Sequence, residues 1–331
     1  SLTAMRRDEI KAVIDQTAAL VREHYVFPEV GVAVADRLVA AQLDGRYDDL
    51  GDPVALAARV TADLQAGNND SHLRLLHHVD ELVDGDDDPV AAEAAWVRQM
   101  ELDAGGMARA ERLDGNVGLL EIRPLLYAPK YAGTAAAAAM WLLRSTDALL
   151  IDLRRCRGGS PEMVALLCSY LFDDEPVHLN DLVTPADGTL RQFWTIPLSG
   201  PRYGGAKPIW VLTSSATFSG AEELTYNLQQ LGRATIVGER TRGGAHPREG
   251  FAVHPHLEAS VPVQRAVNPI SGTNWEGTGV VPDLELPAAE AFGEAYRRAL
   301  GHVVELAAGP GRRALTEEAR EALAALPVPV G

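Results

Sequence analysis

Ser219 stands where an apolar strand pattern over residues 208–213 gives way to a helical pattern over residues 219–231. A serine at the start of a helix lies beside backbone N–H groups that have no partner within the helix, and these groups stabilise negative charge. Its hydroxyl could attack a carbonyl carbon there, and the resulting oxyanion would be bound. The same serine could instead be a helix N-cap with Glu222 as its capping-box partner, and the spacing leaves both interpretations open.

A second junction between a strand and a helix contains Gly158 and Gly159, at the end of Leu-Leu-Ile-Asp-Leu-Arg-Arg-Cys-Arg-Gly-Gly-Ser. Glycines let backbone N–H groups approach a ligand atom closely, although a tight turn needs the same residues. The chain contains neither Gly-x-Gly-x-x-Gly nor a phosphate loop ending in Gly-Lys-Ser/Thr. We therefore expect no nucleotide cofactor, and nothing in the sequence predicts another cofactor.

Two further segments carry groups that could hold or transfer a proton. His72 ends the polar run Asn-Asn-Asp-Ser-His, and imidazole titrates near neutral pH, but a histidine in a loop is more often incidental. Glu276 stands among glycines beside a tryptophan, which suits a partly buried carboxylate or a plain turn. His254 and His256 point to one side of a strand and could share a metal ion. Because no third ligand stands at a suitable spacing, we predict no metal site.

The charge balance excludes several classes of partner. The 331 residues include 30 Lys and Arg and 46 Asp and Glu, which gives a net charge of −16. Nucleic acids and anionic lipid surfaces both present phosphates that such a field repels, so we expect neither as a partner. Only Lys11, Lys130 and Lys207 could serve a mechanism that needs a lysine. The two cysteines, Cys156 and Cys168, cannot form a disulfide framework and are predicted to be ordinary thiols.

The elements that must position these groups fall into two regions. Three amphipathic helical patterns, separated by Gly or Pro, predict a small helical bundle over residues 1–70. From residue 71 to residue 331, short apolar strands alternate with helices, which predicts an α/β core. An acidic stretch over residues 80–88 is predicted to be a polar connection. The apolar faces of the three opening helices are formed by Ile10, Val13, Ile14, Ala18 and Val21, by Val34, Leu38 and Ala41, and by Leu56, Val60 and Leu64.

The α/β region has its own apolar pattern. The clearest predicted strands are 73–78, 117–122, 148–153, 208–213 and 235–237, and the clearest helices are 131–143, 161–171, 219–231 and 288–306. No uninterrupted apolar run approaches the length that spans a bilayer, so we predict no membrane anchor. The N-terminus lacks a basic region followed by an apolar stretch. This favours the cytoplasm, and leaves secretion open if a signal peptide has been removed.

Taken in order, these segments resemble the serine peptidase family of the tricorn core protease and the C-terminal processing peptidases, in the branch of interphotoreceptor retinoid-binding protein, which lacks the PDZ domain. The resemblance rests on five motifs between residues 70 and 283: Asp-Ser-His-Leu, Asp-Leu-Arg-x-x-x-Gly-Gly, Thr-Phe-Ser-Gly-Ala-Glu-Glu, Gly-Glu-Arg-Thr-x-Gly-Gly and Glu-Gly-x-Gly-Val-x-Pro-Asp. It implies a ClpP/crotonase-like α/β core that follows the N-terminal helices.

The resemblance also implies a catalytic arrangement. Processing peptidases use a Ser/Lys dyad, but in this chain a glycine stands at the lysine position within residues 241–245. The tricorn-like branch uses a Ser-His-Ser-Glu tetrad, which this sequence matches. The implied residues are Ser219 as nucleophile, His72 as general base, Ser71 and Glu276 as the groups that orient His72, and the backbone N–H groups of Gly158 or Gly159 and of Gly220 as the oxyanion hole.

The implied function is that of a serine-type hydrolase, most often a peptidase, acting on a peptide or a small acyl or apolar substrate. A homo-oligomer is left open. Only residues 79–116 separate the His72 strand from the next one, which is too short for a peptide-binding domain with its own core. The alternative is a non-catalytic or repurposed module that binds fatty acids or retinoid-like molecules, or a biosynthetic enzyme on the same fold.

Overall fold

The structure is a computed structural model that describes residues 4–82, 89–306, 309 and 311–327. Residues 83–88 of the acidic connection lie outside the described residues. Contacts between residues divide the chain into two compact units. Unit 1 comprises Ser1–Ala95, Asp181–Arg191 and His246–Val267, and unit 2 comprises Trp96–Asn180, Gln192–Ala245 and Asn268–Gly331.

Unit 1 begins with three helices, as predicted. They are α1 (Arg7–His24), α2 (Pro28–Leu43) and α3 (Pro53–Gln65). Proline occupies the first turn of α2 and of α3, where its missing N–H costs nothing, and the Asp52 side chain caps α3 by accepting the Ala55 N–H at 3.1 Å. Every residue predicted to form the three apolar faces is buried. Local hydrophobic periodicity therefore determines which side of each helix faces the core.

A three-stranded antiparallel sheet lies in the same unit, with the strand order β1-β10-β9. Its strands are β1 (Arg74–His77), β9 (Arg248–His254) and β10 (Leu257–Pro262). Leucines at the start of β1 and alternate residues of β10 share one buried core with the three helices. The helices thus bury part of their apolar surface against a strand that comes much later in the chain. The predicted boundary at residue 70 stays a prediction, while unit 1 itself extends beyond it.

Unit 2 contains a six-stranded sheet with the order β12-β8-β7-β4-β3-β2. Its strands are β2 (Met107–Leu113), β3 (Val117–Ile122), β4 (Ala148–Asp152), β7 (Ile209–Thr213), β8 (Thr235–Gly238) and β12 (Leu284–Glu285). Five of them run parallel, and β2 pairs antiparallel with β3 at one edge. The carboxyl ends of parallel strands lie at one edge of a sheet, so the loops after β4 and β7 emerge together.

Helices follow the parallel strands, as the alternating pattern predicts. They are α5 (Pro129–Leu143) after β3, α6 (Pro161–Leu171) after β4, α7 (Gly220–Gln230) after β7, and then α8 (Ala288–Glu305) and α9 (Arg313–Ala325). Small residues of α8, Ala291, Ala295 and Ala299, recur every four positions and are buried in one core with strand residues of this sheet. The predicted α/β class with N-terminal helices is confirmed.

The remaining elements were not predicted. They are α4 (Pro89–Leu102), β5 (His178–Thr184), β6 (Thr189–Trp194) and β11 (Arg265–Val267). Strands β11, β5 and β6 form a third sheet in that order. Within the part of the chain that the structure describes, no helix is both long enough and apolar enough to cross a bilayer.

Candidate active site

His72 lies in unit 1, on the loop between α3 and β1. The Asn68 side chain accepts the Asp70 N–H at 2.9 Å, and the backbone turns through Asn69, whose φ is +54°. The Asp70 Oδ1 then accepts the His72 N–H at 3.1 Å, and the Ser260 hydroxyl donates to the His72 carbonyl at 2.6 Å. The His72 backbone is therefore held at both its N–H and its C=O, and its side chain is buried.

Asp70 is a buried carboxylate to which the sequence analysis assigned no role. Its Oδ2 accepts the Tyr25 hydroxyl at 3.0 Å and lies 2.9 Å from His246 Nδ1. Because an ionised carboxylate only accepts hydrogen bonds, we assign the proton of the second contact to Nδ1. Burial raises the pKa of Asp70, but the hydrogen bond and charge interaction with His246, and the bonds from His72 and Tyr25, outweigh it. The pKa of Asp70 is therefore below its ordinary value, and the group is ionised at neutral pH.

His72 itself is a neutral imidazole at neutral pH. The pKa of His72 is lowered to about 4: burial lowers it most, the Asp70 carboxylate opposes that effect, and Arg74, His246 and Arg248 add to the lowering. An Asp70 carboxylate oxygen lies within 4.8 Å of a His72 ring nitrogen. A neutral imidazole has a lone pair that can take a proton, as a general base requires. Ser71, the residue before it, is half-buried in the same loop.

Ser219 lies in unit 2, immediately before α7. Its φ of +50° and ψ of −120° form a combination that a residue with a side chain rarely adopts. Its carbonyl accepts the Glu223 N–H at 2.9 Å, which begins the helix. Backbone strain of this kind persists only where the surroundings hold it, and it is concentrated at functional sites. The position fits both interpretations from the sequence, because Ser219 is the N-cap residue and stands at the junction after β7.

The glycines of the predicted oxyanion hole lie in unit 2. Gly158 and Gly159 have φ values of +115° and +128°, and a side chain on Gly159 would collide with the Leu126 carbonyl. Leu126 pairs with the residues on either side of Gly159, so the Gly159 N–H points away from it. A Cβ built on Gly220 would lie 3.0 Å from the Gly159 nitrogen, so these two backbones are in direct contact. Among the described residues, no acceptor takes the N–H of Gly159 or of Gly220.

Glu222 does more than cap a helix. Its side chain is fully buried and accepts the Ser219 N–H at 2.8 Å and the Gly244 N–H at 2.9 Å through Oε2. Its Oε1 accepts the Gly243 N–H at 2.6 Å and the Thr241 hydroxyl at 2.5 Å. Burial raises the pKa of Glu222, and these four hydrogen bonds offset the increase in part. One carboxyl group therefore joins the strained serine to the loop over residues 241–245.

Glu276 is attached to that same loop. Its Oε2 accepts the Ala245 N–H at 2.5 Å, and the neighbouring Trp275 indole donates to the Gly244 carbonyl at 2.9 Å. The Gly277 N–H donates to the Gly243 carbonyl at 3.0 Å. Glu276 is half-buried, as the sequence pattern suggested for a carboxylate in this setting.

Lys207 and the two cysteines lie in surroundings that support the fold and do not suit catalysis. The Lys207 ammonium donates to the carbonyls of Arg144 and Thr146 at 2.6 and 2.8 Å. It precedes β7, whereas Ser219 follows the other end of that strand. Cys156 and Cys168 are buried and are not joined in a disulfide, and burial raises the pKa of Cys156 to about 12. Neither thiol is activated as a nucleophile.

The prediction that no metal binds stays a prediction. The rings of His254 and His256 have centroids 6.2 Å apart. His254 Nδ1 accepts the His256 N–H at 3.2 Å, and His256 Nδ1 lies 3.1 Å from the His78 carbonyl. One ring nitrogen of each histidine is thus bonded to the backbone.

Each unit holds part of the predicted tetrad. Ser71 and His72 belong to unit 1, and Ser219, Glu276 and the three glycines belong to unit 2. Asp70 stands in the motif Asp-Ser-His-Leu, but no role was predicted for its carboxylate, and Glu222 was predicted only as a capping partner. No local sequence pattern indicates the contacts of Tyr25 and His246 with Asp70, because these residues lie 45 and 176 positions from Asp70 along the chain.

Comparison with known proteins gives two family matches. Peptidase family S41 matches residues 117–286. A second family, described as the N-terminal domain of peptidase S41 in eukaryotic IRBP, matches residues 2–104. The first match covers more than half of the chain, including both glycine-rich junctions, Ser219 and Glu276.

Several solved structures share the fold, and three of them illustrate the similarity to this chain. One is a candidate peptidase from Parabacteroides merdae ATCC 43184, with a TM-score of 0.59, 18% identity and coverage of 94% of this chain and 99% of that one. A lipoprotein from Streptococcus agalactiae has a TM-score of 0.56 and 16% identity, covering 91% and 98%. The tricorn protease has a TM-score of 0.53 and 14% identity over 87% of this chain and 35% of that chain. At these identities the likeness shows the fold alone.

Proposed function

The chain belongs to peptidase family S41, and on that premise we propose that it is a serine-type peptidase with Ser219 as its nucleophile. The observation that carries the proposal is the strained backbone of Ser219 at the start of α7, beside glycine N–H groups that have no acceptor among the described residues. A plain N-cap serine does not need a φ of +50°, since N-cap residues ordinarily have extended backbones.

The proposed oxyanion hole uses the N–H groups of Gly159 and Gly220. Both belong to junctions between a strand and a helix, and the N-terminus of a helix favours negative charge. When the Ser219 Oγ attacks a carbonyl carbon, the carbonyl oxygen becomes an oxyanion and accepts these two N–H groups. The Ser219 N–H does not take part, because Glu222 already accepts it. Gly158, the other candidate, supplies the positive φ that directs its neighbour.

The proposed general base is His72. It takes the Ser219 hydroxyl proton and later passes that proton to the leaving group. The low pKa of His72 keeps the imidazole neutral and ready to accept the proton. In this proposal Ser71 and Glu276 orient the imidazole, as the resemblance to the tricorn-like branch implies.

The proposed substrate is a peptide or another acyl compound. The net charge of −16 weighs against nucleic acid and anionic lipid as partners. A homo-oligomer and a cytoplasmic location stay predictions from the sequence, with secretion as the alternative location. The rival proposal is a module on the same fold that has no hydrolytic activity and binds an apolar small molecule.

A fluorophosphonate probe tests the nucleophile without knowledge of the substrate. We expect one equivalent of label on Ser219 in the wild type, no label in Ser219→Ala, and a loss of at least about 100-fold in rate in His72→Ala. Ser215→Ala is the matched control, because Ser215 is exposed in the same loop and should leave labelling unchanged. A folded wild-type protein that is not labelled, or that is labelled elsewhere, would contradict the proposal and favour the non-catalytic module.

A further inference from the structure

We infer that Tyr25 and His246 hold the Asp70 carboxylate so that it positions His72 and stabilises the protonated form of His72. Tyr25, His246 and Asp70 are then positioning residues of the proposed catalytic base. This inference rests on the proposed function of His72. It concerns Tyr25, Asp70 and His246, which belong to unit 1 and have no role in the predicted tetrad.

The first step is the geometry of the carboxylate. Asp70 uses Oδ1 for the His72 N–H at 3.1 Å and Oδ2 for Tyr25 and His246 at 3.0 and 2.9 Å. Three donors from three separate parts of the chain leave it one orientation. The loop that carries His72 is short, and a loop alone would permit several backbone conformations. The Asp70 contacts therefore select the conformation that presents the imidazole.

The second step is the cost of burial. Asp70 is 1% exposed and His246 is 5% exposed. An ionised carboxylate at such depth is unfavourable unless charge and hydrogen bonds compensate it. The Phe27 ring packs edge-on against His246, with centroids 5.4 Å apart, and limits the orientations open to the imidazole. Because Asp70 is kept ionised and held in place, it provides a negative charge whose position does not change during a reaction.

The third step is the effect of that charge on His72. A carboxylate oxygen within 4.8 Å of the ring nitrogen attracts an imidazolium. Arg74, His246 and Arg248, which also belong to unit 1, oppose its protonation. When the Ser219 O–H bond breaks and an N–H bond forms on His72, the new positive charge lies beside Asp70. No proton passes to Asp70, which remains a carboxylate throughout.

Two substitutions of His246 distinguish positioning from simple packing. Asn places an amide N–H where the imidazole carries Nδ1–H, so His246→Asn should keep the bond to Asp70. His246→Leu fills similar space but donates nothing. We expect the fluorophosphonate labelling rate of Ser219 to fall about tenfold or more in His246→Leu and to stay within about threefold of the wild type in His246→Asn.

A second readout does not depend on activity. In protein labelled with ¹⁵N-histidine, the His72 backbone amide should resonate downfield because it donates to an ionised carboxylate. We expect that resonance to move upfield in His246→Leu and to stay near its wild-type position in His246→Asn. The His72→Gln variant assigns the signal, and thermal unfolding of each variant shows whether the fold is intact.

The outcomes separate the two proposals. A slower labelling rate in His246→Leu together with a near-normal rate in His246→Asn supports the inference, whereas equal rates in both variants and the wild type overturn it. Equal losses in both variants also overturn it, because packing rather than donation would then be responsible. If the wild type is never labelled, the proposed function fails, and the amide resonance alone decides whether His246 and Asp70 control the His72 backbone.

Discussion

Asp70 and Glu222 are two buried carboxyl groups with opposite acid–base behaviour. Asp70 lies in unit 1 and accepts the backbone N–H of His72, whereas Glu222 lies in unit 2 and accepts the backbone N–H of Ser219. They are 1% and 0% exposed, and burial is the largest influence on the pKa of each. Yet the pKa of Asp70 lies below its ordinary value, and the pKa of Glu222 lies above its own.

The difference lies in the donors. Asp70 faces His246, whose hydrogen bond and charge interaction both favour the carboxylate, together with the Tyr25 hydroxyl. Among the described residues, the donors that bond to Glu222 are neutral: three backbone N–H groups and the Thr241 hydroxyl. Depth of burial therefore does not set the charge of a buried acid by itself. An ionisable partner outweighs burial at Asp70, whereas the described donors to Glu222 are neutral and burial dominates its pKa.

Glu222→Ala should give the largest loss of stability. It leaves the Ser219, Gly243 and Gly244 N–H groups and the Thr241 hydroxyl without their acceptor in a buried region. We expect the free energy of unfolding to fall by about 3 kcal/mol or more, as measured by urea unfolding. Glu290→Ala is the control, because Glu290 is exposed at the start of α8 and its loss should change little. A loss below that of an ordinary surface change would show that water replaces the carboxylate easily.

Asp70→Asn should lower the free energy of unfolding by less than Glu222→Ala does. The amide still accepts the His72 N–H through its oxygen, but it presents a donor to Tyr25 and His246, which can rotate or change tautomer in response. We expect a fall of about 1.5 kcal/mol in the free energy of unfolding. Asp36→Asn serves as the control, because the ion pair of Asp36 with Arg22 is exposed and should contribute about 0.5 kcal/mol or less. If Asp70→Asn cost more than Glu222→Ala, the contrast in donors would be the wrong explanation.

The pH dependence of stability should have opposite signs for the two groups. The lowered pKa of Asp70 gives a stabilisation that is complete above the unfolded-state value of about 3.9 and is lost as the pH falls through the folded-state value. The raised pKa of Glu222 gives a stabilisation that is complete below about 4.3 and is lost as the pH rises through the folded-state value.

Urea unfolding between about pH 2 and 7 measures this contrast, because the Asp70 contribution changes below about pH 3.9 and the Glu222 contribution changes above about pH 4.3. The stability of the wild type relative to Asp70→Asn should decrease toward acid, and its stability relative to Glu222→Gln should increase. Curves that slope the same way would mean that one of the two pKa directions is wrong.

The smallest expected effect is that of a single hydroxyl. Tyr25→Phe removes one donor from Asp70 and should lower the free energy of unfolding by about 1 kcal/mol. Tyr226→Phe is the matched control, because its hydroxyl meets Ser271 at the exposed surface and should cost about 0.3 kcal/mol. If both variants lost the same free energy of unfolding, the buried hydrogen bond to Asp70 would stabilise the fold no more than an exposed one.

Local patterns predicted most of the fold. The three opening helices and strands β3, β4, β7 and β8 follow from hydrophobic periodicity and from Gly and Pro at their ends, which are properties of neighbouring residues. Strands β2 and β12 were not predicted. Helix α9 lies beyond the last predicted helix, and only Thr316 and Ala319 are buried among its described residues. Helix α4 escaped prediction because it is rich in alanine and carries no clear apolar stripe.

The site was predictable only where its chemistry is local. Ser219 and the paired glycines occur at junctions between a strand and a helix, so sequence order places them at one edge of the sheet. The Asp70 contacts cannot be found this way, because Tyr25 and His246 come from distant parts of the chain. The tetrad roles of Ser71, His72 and Glu276 stay predictions from the resemblance.

The sheet of unit 1 has a consequence for protein synthesis. Strand β1 pairs with β10, which is made about 180 residues later. A ribosome adds roughly 5–20 residues per second, so about 10–40 seconds pass between the two strands. During that time the nascent helices α1–α3 carry an apolar face whose partner does not yet exist. The core of unit 1 therefore cannot be completed until β10 has been made, and part of the apolar surface of these helices stays exposed until then.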